Sequence, residues 1–166
     1  MTSRPLTLGE AALARSVFGD AIDYARVTVN RAKWFPFQPP RFVMSPDGHI
    51  WVHPRADTWA DDYSTARFSL QELFIHEMTH VWQAQLRGRW WLPLMRHPFC
   101  RYGYRYVPGR AFVDYGIEQQ AEIVRHAWVY RQGFKPTNAP ARDLIEPLLP
   151  FAGSAAPQTK LPLSSQ

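Results

Sequence analysis

The chain lacks the features that would assign it to a membrane or to an oxidising compartment. Cys100 is the single cysteine among 166 residues, so no internal disulfide can form. There is no apolar run of about 18 residues, which argues against a membrane-spanning helix. The N-terminus also lacks the continuous apolar stretch of a secretory signal peptide. We therefore predict a cytoplasmic protein, and export by a route that needs no signal peptide stays open.

Acidic residues are missing from one long segment. Residues 87–110 contain six arginines and no Asp or Glu, so this segment carries a charge of +6. The rest of the chain carries −1, which gives the net charge of +5. The charge predicts a local electropositive face. We predict no nucleic-acid partner, because no recognised nucleic-acid motif accompanies the charge. Two interpretations stay open, a lid over a cleft or a surface that binds an anionic partner through Trp90 and Trp91.

The overall composition is that of a globular domain. Hydrophobic residues make up 46% of the chain and charged residues 20%, and the length fits one domain with its own core. Six of the 15 prolines follow residue 133. We predict a single domain over residues 1–150 and a disordered tail over residues 151–166.

Local patterns predict an α+β fold. Thr7 and Glu10 form a capping box that opens a helix ending near Gly19, and Ser69 and Glu72 form a second one. The second box opens an amphipathic helix that Gly88 ends. The turn sequence Pro-Asp-Gly at 46–48 predicts a hairpin between residues 41–45 and 49–53. The other predicted elements are a strand over 26–32, an extended excursion over 89–109, a helix over 115–132 and a short helix over 144–149.

The amphipathic helix contains the pattern HExxH, from His76 to His80. Residues at i and i+4 lie on one helix face, so both imidazoles can bind one metal ion. Glu77 lies beside them and can take a proton from water at the metal without being a ligand itself. The pattern predicts one catalytic Zn²⁺ per chain. The alternative is a helix whose histidines are ordinary surface or core residues.

A catalytic zinc needs a third protein ligand and a fourth position for water. Cys100 is alone in the basic segment, and position 86, where a metzincin has its third histidine, is Leu. A carboxylate remains, and Glu118 and Glu122 lie one turn apart on a helix with an apolar face. Like charges so placed repel unless a cation or a histidine proton compensates them. The spacing leaves open which glutamate binds the metal, or whether both form a solvated face with Arg125.

An HExxH helix followed by a helix with Glu-x-x-Ala-(Asp/Glu) resembles the gluzincin arrangement of thermolysin-like and minimal HExxH peptidases. The resemblance implies that Glu118 is the third ligand and that Glu122 accepts a hydrogen bond from a ligating histidine. This chain has Glu at position 122, where many relatives have Asp. Such peptidases usually add a Tyr or His that stabilises the oxyanion, for which the candidates are Tyr104, Tyr106, Tyr115 and His126.

Four segments resemble a narrower family, and the similarity spans residues 6–130. They cover residues 6–10, 16–24, 76–83 and 114–124. They are similar to small bacterial predicted zinc peptidases labelled Vgr-related, whose name links them to type VI secretion spike proteins. The resemblance implies a minimal zincin-like α+β domain with the HExxH helix, a second Glu-bearing helix and a small β-hairpin or sheet. In gluzincin-like sites a substrate commonly adds a strand to such a sheet edge.

These observations predict a zinc-dependent peptidase that hydrolyses a peptide or amide bond, with Glu77 as the general base. The expected partners are a peptide or protein substrate and a secretion spike protein. One alternative is a metal-stabilised, non-catalytic adapter that associates with a type VI secretion spike. Another is a hydrolase of peptidoglycan peptides, which the basic segment would approach electrostatically.

Overall fold

Five helices and a four-stranded sheet form an α+β fold in the computed structural model, which describes residues 2–95 and 102–151. The strands are β1 (Thr2–Pro5), β2 (Thr28–Arg31), β3 (Val43–Met44) and β4 (Ile50–Val52). The helices are α1 (Leu8–Phe18), α2 (Phe68–Arg87), α3 (Trp91–Met95), α4 (Ile117–Arg131) and α5 (Arg142–Ile145). Within the described residues, no helix combines the length and the apolar character needed to cross a bilayer.

The predicted capping box at the start of α1 is confirmed. Thr7 Oγ1 accepts the Glu10 amide at 3.0 Å, and Glu10 Oε2 accepts the Thr7 amide at 2.9 Å. The fully buried Glu10 carboxylate also accepts two N–H groups of Arg4, each at 2.7 Å, and the Tyr63 amide at 2.9 Å. A buried carboxylate needs such partners, so this one group joins β1, α1 and the loop that leads to α2.

The predicted hairpin is present with shorter strands. β3 and β4 pair antiparallel, with Val43 opposite Val52. The Pro-Asp-Gly turn between them has Gly48 at φ 89°, which glycine adopts without strain, and Asp47 accepts the Trp51 indole N–H at 2.9 Å. The strand order is β1-β2-β4-β3, with β2 and β4 parallel. The hairpin therefore places β3 at one edge of the described sheet.

The predicted capping box at the start of α2 is wrong. The helix begins at Phe68 with Arg67 as its N-cap, and no capping side-chain hydrogen bond is found there among the described residues. Ser69 already lies inside the first turn, so its hydroxyl is not at the N-cap position. Gln71 instead donates to the backbone oxygens of Ser64 and Ala66. The C-terminal stop is confirmed, with Gly88 at φ 96°.

The extended excursion predicted for residues 89–109 contains a helix, α3, which is a further correction. α3 contacts α2, and its Leu92 side chain is 2% exposed. The guanidinium of Arg87 lies over the Trp91 ring, and that of Arg89 lies over the Trp90 ring, which is 62% exposed. Residues 96–101, which include Cys100, lie outside the described residues. The hydrophobic periodicity of this proline-containing stretch does not reveal that a tryptophan-bearing turn packs on α2.

α2 and α4 pack against each other and form the centre of the core. The residues they bury between them and the sheet are Phe74, Ile75, Met78, Ile123, Val124 and Trp128. Phe151 also joins this core, against Phe18 and Trp82, one residue beyond the predicted end of the domain. Residues 152–166 of the predicted tail lie outside the described residues. Burial of both helices brings the HExxH residues of α2 face to face with the glutamates of α4.

Candidate metal centre

The two histidines of the HExxH pattern converge on one carboxylate oxygen of α4. His76 Nε2 lies 3.3 Å and His80 Nε2 3.1 Å from Glu118 Oε2. All three side chains are buried, and their potential ligand atoms lie within 4.8 Å of one another. The i, i+4 spacing places both imidazoles on the same face of α2, and the packing of α4 brings Glu118 to that face. The structure thus brings together the three residues that the gluzincin resemblance implied as a ligand set.

The opposite nitrogen of each imidazole has its own acceptor. His76 Nδ1 lies 3.0 Å from Glu122 Oε1, and His80 Nδ1 lies 2.8 Å from Gln83 Oε1. The Gln83 amide nitrogen donates to Ile117 O and Gln120 Oε1, so its oxygen faces His80. Each Nδ1 therefore carries a hydrogen, and in the neutral ring the Nε2 lone pair faces Glu118.

The spacing of these atoms fits a divalent ion. A tetrahedral zinc site with bonds of about 2.0–2.1 Å separates neighbouring ligand atoms by about 3.3 Å. The observed separations from Glu118 Oε2 to the two Nε2 atoms are 3.3 and 3.1 Å. Two imidazole nitrogens and one carboxylate oxygen are also a donor set that zinc accepts. The two separations from Glu118 and the donor chemistry are therefore those expected of a group that could hold a metal ion.

The charges around His76 favour a positive charge at this place. Burial by itself would lower the pKa of His76, but its hydrogen bonds to Glu118 and Glu122 outweigh burial and raise that pKa to about 9. Burial would likewise raise the pKa of Glu122, but the hydrogen bonds from His76 and Arg125 lower it to about 2. A divalent cation would supply the positive charge that a proton on His76 otherwise supplies beside the two glutamates.

The Glu77 side chain is held by the hairpin. Its Oε2 accepts a hydrogen bond from Ser45 Oγ at 2.8 Å, and both side chains are buried. Glu77 and His76 line a cleft of about 320 Å³. The edge strand β3 contributes Val43 to the same cleft. A carboxylate that is fixed beside the ligands and faces a cleft can act on a water molecule there.

The four residues predicted to stabilise the oxyanion differ in their hydrogen-bond partners and in their burial. Arg125 donates to His126 Nε2 at 3.0 Å, so the His126 hydrogen is on Nδ1 and is donated to the Tyr104 hydroxyl at 2.9 Å. Burial, assisted by the Arg125 charge, lowers the pKa of His126 to about 4. Tyr115 is buried and its hydroxyl accepts the Val107 amide at 3.2 Å. Tyr106 is half-buried.

Three residues at the site were not among the sequence candidates. Ser45 orients Glu77, Gln83 orients His80, and the Tyr102 ring lies 6.2 Å from the His76 ring at an angle of 22°. Gln83 could have been found, because it lies at i+3 from His80 on the same helix face. No sequence signal marks Ser45, or separates Tyr102 from the other tyrosines of its segment.

Gln83→Met is expected to weaken zinc binding by about 10–100-fold, because loss of the acceptor frees the His80 ring to rotate. Competition with a chromophoric chelator measures this change. Gln85→Met is the matched control, since Gln85 lies on the same helix but pairs with the backbone of Asp23, and it should bind zinc as the native chain does. Native affinity in Gln83→Met would show that this amide does not orient the ligand.

The fold and the site define a small α+β domain with a buried His-His-Glu group between two packed helices. No protein-family model matches the chain. It is 39% identical over 145 residues to the type VI secretion system spike protein VgrG2b of Pseudomonas aeruginosa, a match that covers 84% of this chain. The structure is similar to the effector domain of Pseudomonas aeruginosa VgrG2b, with a TM-score of 0.70 and 34% identity over 88% of this chain and 81% of that domain.

The chain belongs to the family of the VgrG2b effector domain. The predicted resemblance to Vgr-related proteins is thereby confirmed. The match spans 14% of the length of the spike protein, so the similarity concerns the effector domain and not the spike as a whole.

Proposed function

We propose that this chain is a zinc-dependent peptidase of the HExxH type. The proposal depends chiefly on one observation: His76, His80 and Glu118 converge with ligand spacing, while Glu77 lies next to His76 on the wall of an open cleft. A site that only stabilises the fold has no need of a carboxylate there. His76, His80 and Glu118 would hold one Zn²⁺, with Glu122 and Gln83 as their hydrogen-bond partners.

When bound, zinc supplies Lewis acidity, which lowers the pKa of water and polarises a carbonyl group. The protein supplies the proton transfers. Glu77 accepts a proton from water in the cleft and delivers it to the nitrogen that leaves when the amide bond breaks. The Ser45 hydroxyl keeps the Glu77 carboxylate in one orientation, so the base is positioned before the substrate arrives.

The edge strand β3 supports a peptide as the substrate. β3 lies at the edge of the described sheet, and Phe42 and Val43 line the cleft with His76 and Glu77. An extended peptide that pairs with this edge would run past the Glu77 carboxylate. Apolar side chains on the α2 side of the cleft, such as Leu73, would contact its side chains.

Tyr102→Phe is expected to lower kcat by about 10²–10³-fold if the Tyr102 hydroxyl stabilises the developing oxyanion. Tyr102 lines the cleft beside His76, and phenylalanine retains its ring contact with that histidine. KM and zinc content should change little. Tyr115→Phe is the control, because the Tyr115 hydroxyl faces the Val107 amide. An unchanged kcat in Tyr102→Phe would show that the Tyr102 hydroxyl does not stabilise the transition state.

The proposed activity is tested by incubating zinc-loaded protein with unfolded casein and, separately, with purified peptidoglycan. New amino groups are measured before and after treatment with a chelator. Release from casein that stops on chelation and returns with zinc supports a peptidase of general protein substrates. Release from peptidoglycan alone would assign the alternative substrate, and release from neither, with zinc bound, would refute the hydrolase.

The relation to a spike protein's effector domain supports a second proposal, that this chain associates with a secretion spike. Such an association would also give the chain a route of export. Co-purification with a VgrG spike protein tests it. Binding that survives Glu77→Gln, in a protein without hydrolase activity, would favour the non-catalytic adapter, whereas absence of binding would remove the spike as a partner.

A further inference from the structure

Arg125 joins the two helices that form the metal centre. Its Nε and Nη2 donate to the two oxygens of Glu122, at 3.1 and 2.6 Å. Its Nη1 donates to Glu72 Oε1 on α2 at 2.8 Å, and Nη2 also reaches His126 Nε2 at 3.0 Å. Glu72 lies one helical turn before His76. The guanidinium therefore binds Glu122 in a bidentate manner and ties it to the turn of α2 that precedes the first ligand.

These contacts give the two glutamates of α4 different roles. Glu122 Oε1 accepts hydrogen bonds from both Arg125 Nε and His76 Nδ1, so its carboxylate lies on the Nδ1 side of the His76 imidazole. Glu118 Oε2 faces the Nε2 atoms of both histidines. Glu118 and Glu122 are chemically identical and one turn apart. The pairing with Arg125 is a difference between them that bears on which one can bind a metal.

We infer that Arg125 is a positioning residue for the metal centre, which holds Glu122 as the acceptor for His76 and leaves Glu118 as the ligand. The inference rests on the proposed function only in taking the group as a zinc site. Arg125 acts through Glu122 and His76.

Lysine at position 125 separates the geometry from the charge. A lysine ammonium retains the positive charge near the site but cannot form the planar, bidentate contact with Glu122 while also reaching Glu72. Because the charge is conserved, a change in zinc affinity in Arg125→Lys reports the lost orientation and not a change in attraction for the cation. An uncharged variant would confound the two effects.

The matched control is Arg131→Lys. Arg131 lies on the same helix and binds Glu146 in the same manner, with Nε to Oε1 at 3.0 Å and Nη2 to Oε2 at 2.7 Å. Glu146 belongs to the turn Glu146–Leu148 that follows α5, so its pair with Arg131 connects α4 to that turn. Arg131→Lys therefore reproduces the loss of an arginine–carboxylate pair on α4 without changing the partners of His76.

The experiment compares zinc affinity and thermal stability of the full chain with those of both variants, using a chromophoric chelator for affinity. We expect Arg125→Lys to bind zinc about 10-fold more weakly, and Arg131→Lys to bind it within about twofold of the native chain at a similar loss of Tm. A second readout is the His76 Nδ1–H signal in ¹⁵N NMR of the metal-free protein. We expect it to be present in the native chain and in Arg131→Lys, and broadened in Arg125→Lys.

Native zinc affinity together with a native His76 signal in Arg125→Lys would overturn the inference. Equal losses of zinc affinity in the two variants would also overturn it, because they would reflect stability alone. If the native chain binds no zinc, the proposed function fails instead. The His76 signal then still decides whether Arg125 orients Glu122 and His76.

Discussion

Glu77→Gln is expected to reduce peptide hydrolysis by about 10²–10⁴-fold while the protein retains its zinc. The amide has the shape of the carboxylate, and its oxygen can still accept the hydrogen bond from Ser45. It cannot accept a proton from water at neutral pH, so only the proton-transfer step is lost. Initial rates on the substrate found with the native enzyme, together with elemental analysis for zinc, measure both effects.

Glu146→Gln is the control for this substitution. It makes the same chemical change at a carboxylate that pairs with Arg131 away from the cleft, and its rate should be close to native. A Glu77→Gln protein that retains the native rate would rule out Glu77 as the general base. Loss of zinc from that variant would instead mean that Glu77 supports the metal centre as well as the reaction.

His80→Ala is expected to lower the zinc content from about one ion per chain to a small fraction of that value, and Glu118→Ala should do the same. A catalytic zinc has three protein ligands, and loss of one leaves a site of two that seldom retains the ion through purification. The native protein should lose thermal stability on treatment with a chelator, because a ligand that binds the folded state stabilises it. The His80→Ala and Glu118→Ala proteins should lose little thermal stability on the same treatment.

His49→Ala is the control for the ligand variants. His49 pairs with Thr28 near the hairpin, and its hydrogen bond is independent of the metal centre. The variant should contain about one zinc ion per chain, as the native protein does. A native protein that binds no zinc even after incubation with it, or a Glu118→Ala protein that binds it fully, would contradict the proposed ligand set.

The two results together distinguish the proposed roles of the domain. Zinc binding with hydrolysis that depends on Glu77 would assign peptidase activity to this member of the VgrG2b effector-domain family. Zinc binding without hydrolysis, combined with association with a spike protein, would assign the adapter role.

The sequence alone predicted the features that depend on neighbours within one segment. The capping box of Thr7 and Glu10 and the turn at residues 46–48 are local hydrogen-bonding patterns, and both are present. The same reasoning failed for Ser69, since a capping pattern can lie one or two residues inside a helix whose start is set by packing. The helix α3 was missed because proline and tryptophan give no periodic signal over five residues.

The sequence also determined which residues share one helix face. The i, i+4 spacing of His76 and His80 sets their common direction regardless of the rest of the fold. The same spacing placed Glu118 and Glu122 together but could not distinguish them. Only the packing of α4 on α2 decided that Glu118 Oε2 meets both Nε2 atoms and that Glu122 meets the far nitrogen of His76.

The tertiary structure alone decided which side chains from distant parts of the sequence contact Glu77 and the other residues around the ligand group. Ser45 reaches Glu77 across 32 positions of the sequence, and Arg125 reaches Glu72 across 53. Periodicity describes one helix or strand at a time, so it carries no information on which side chains of two elements will touch. That information lies in how the buried faces of α2, α4 and the sheet fit together, and their close packing admits few arrangements.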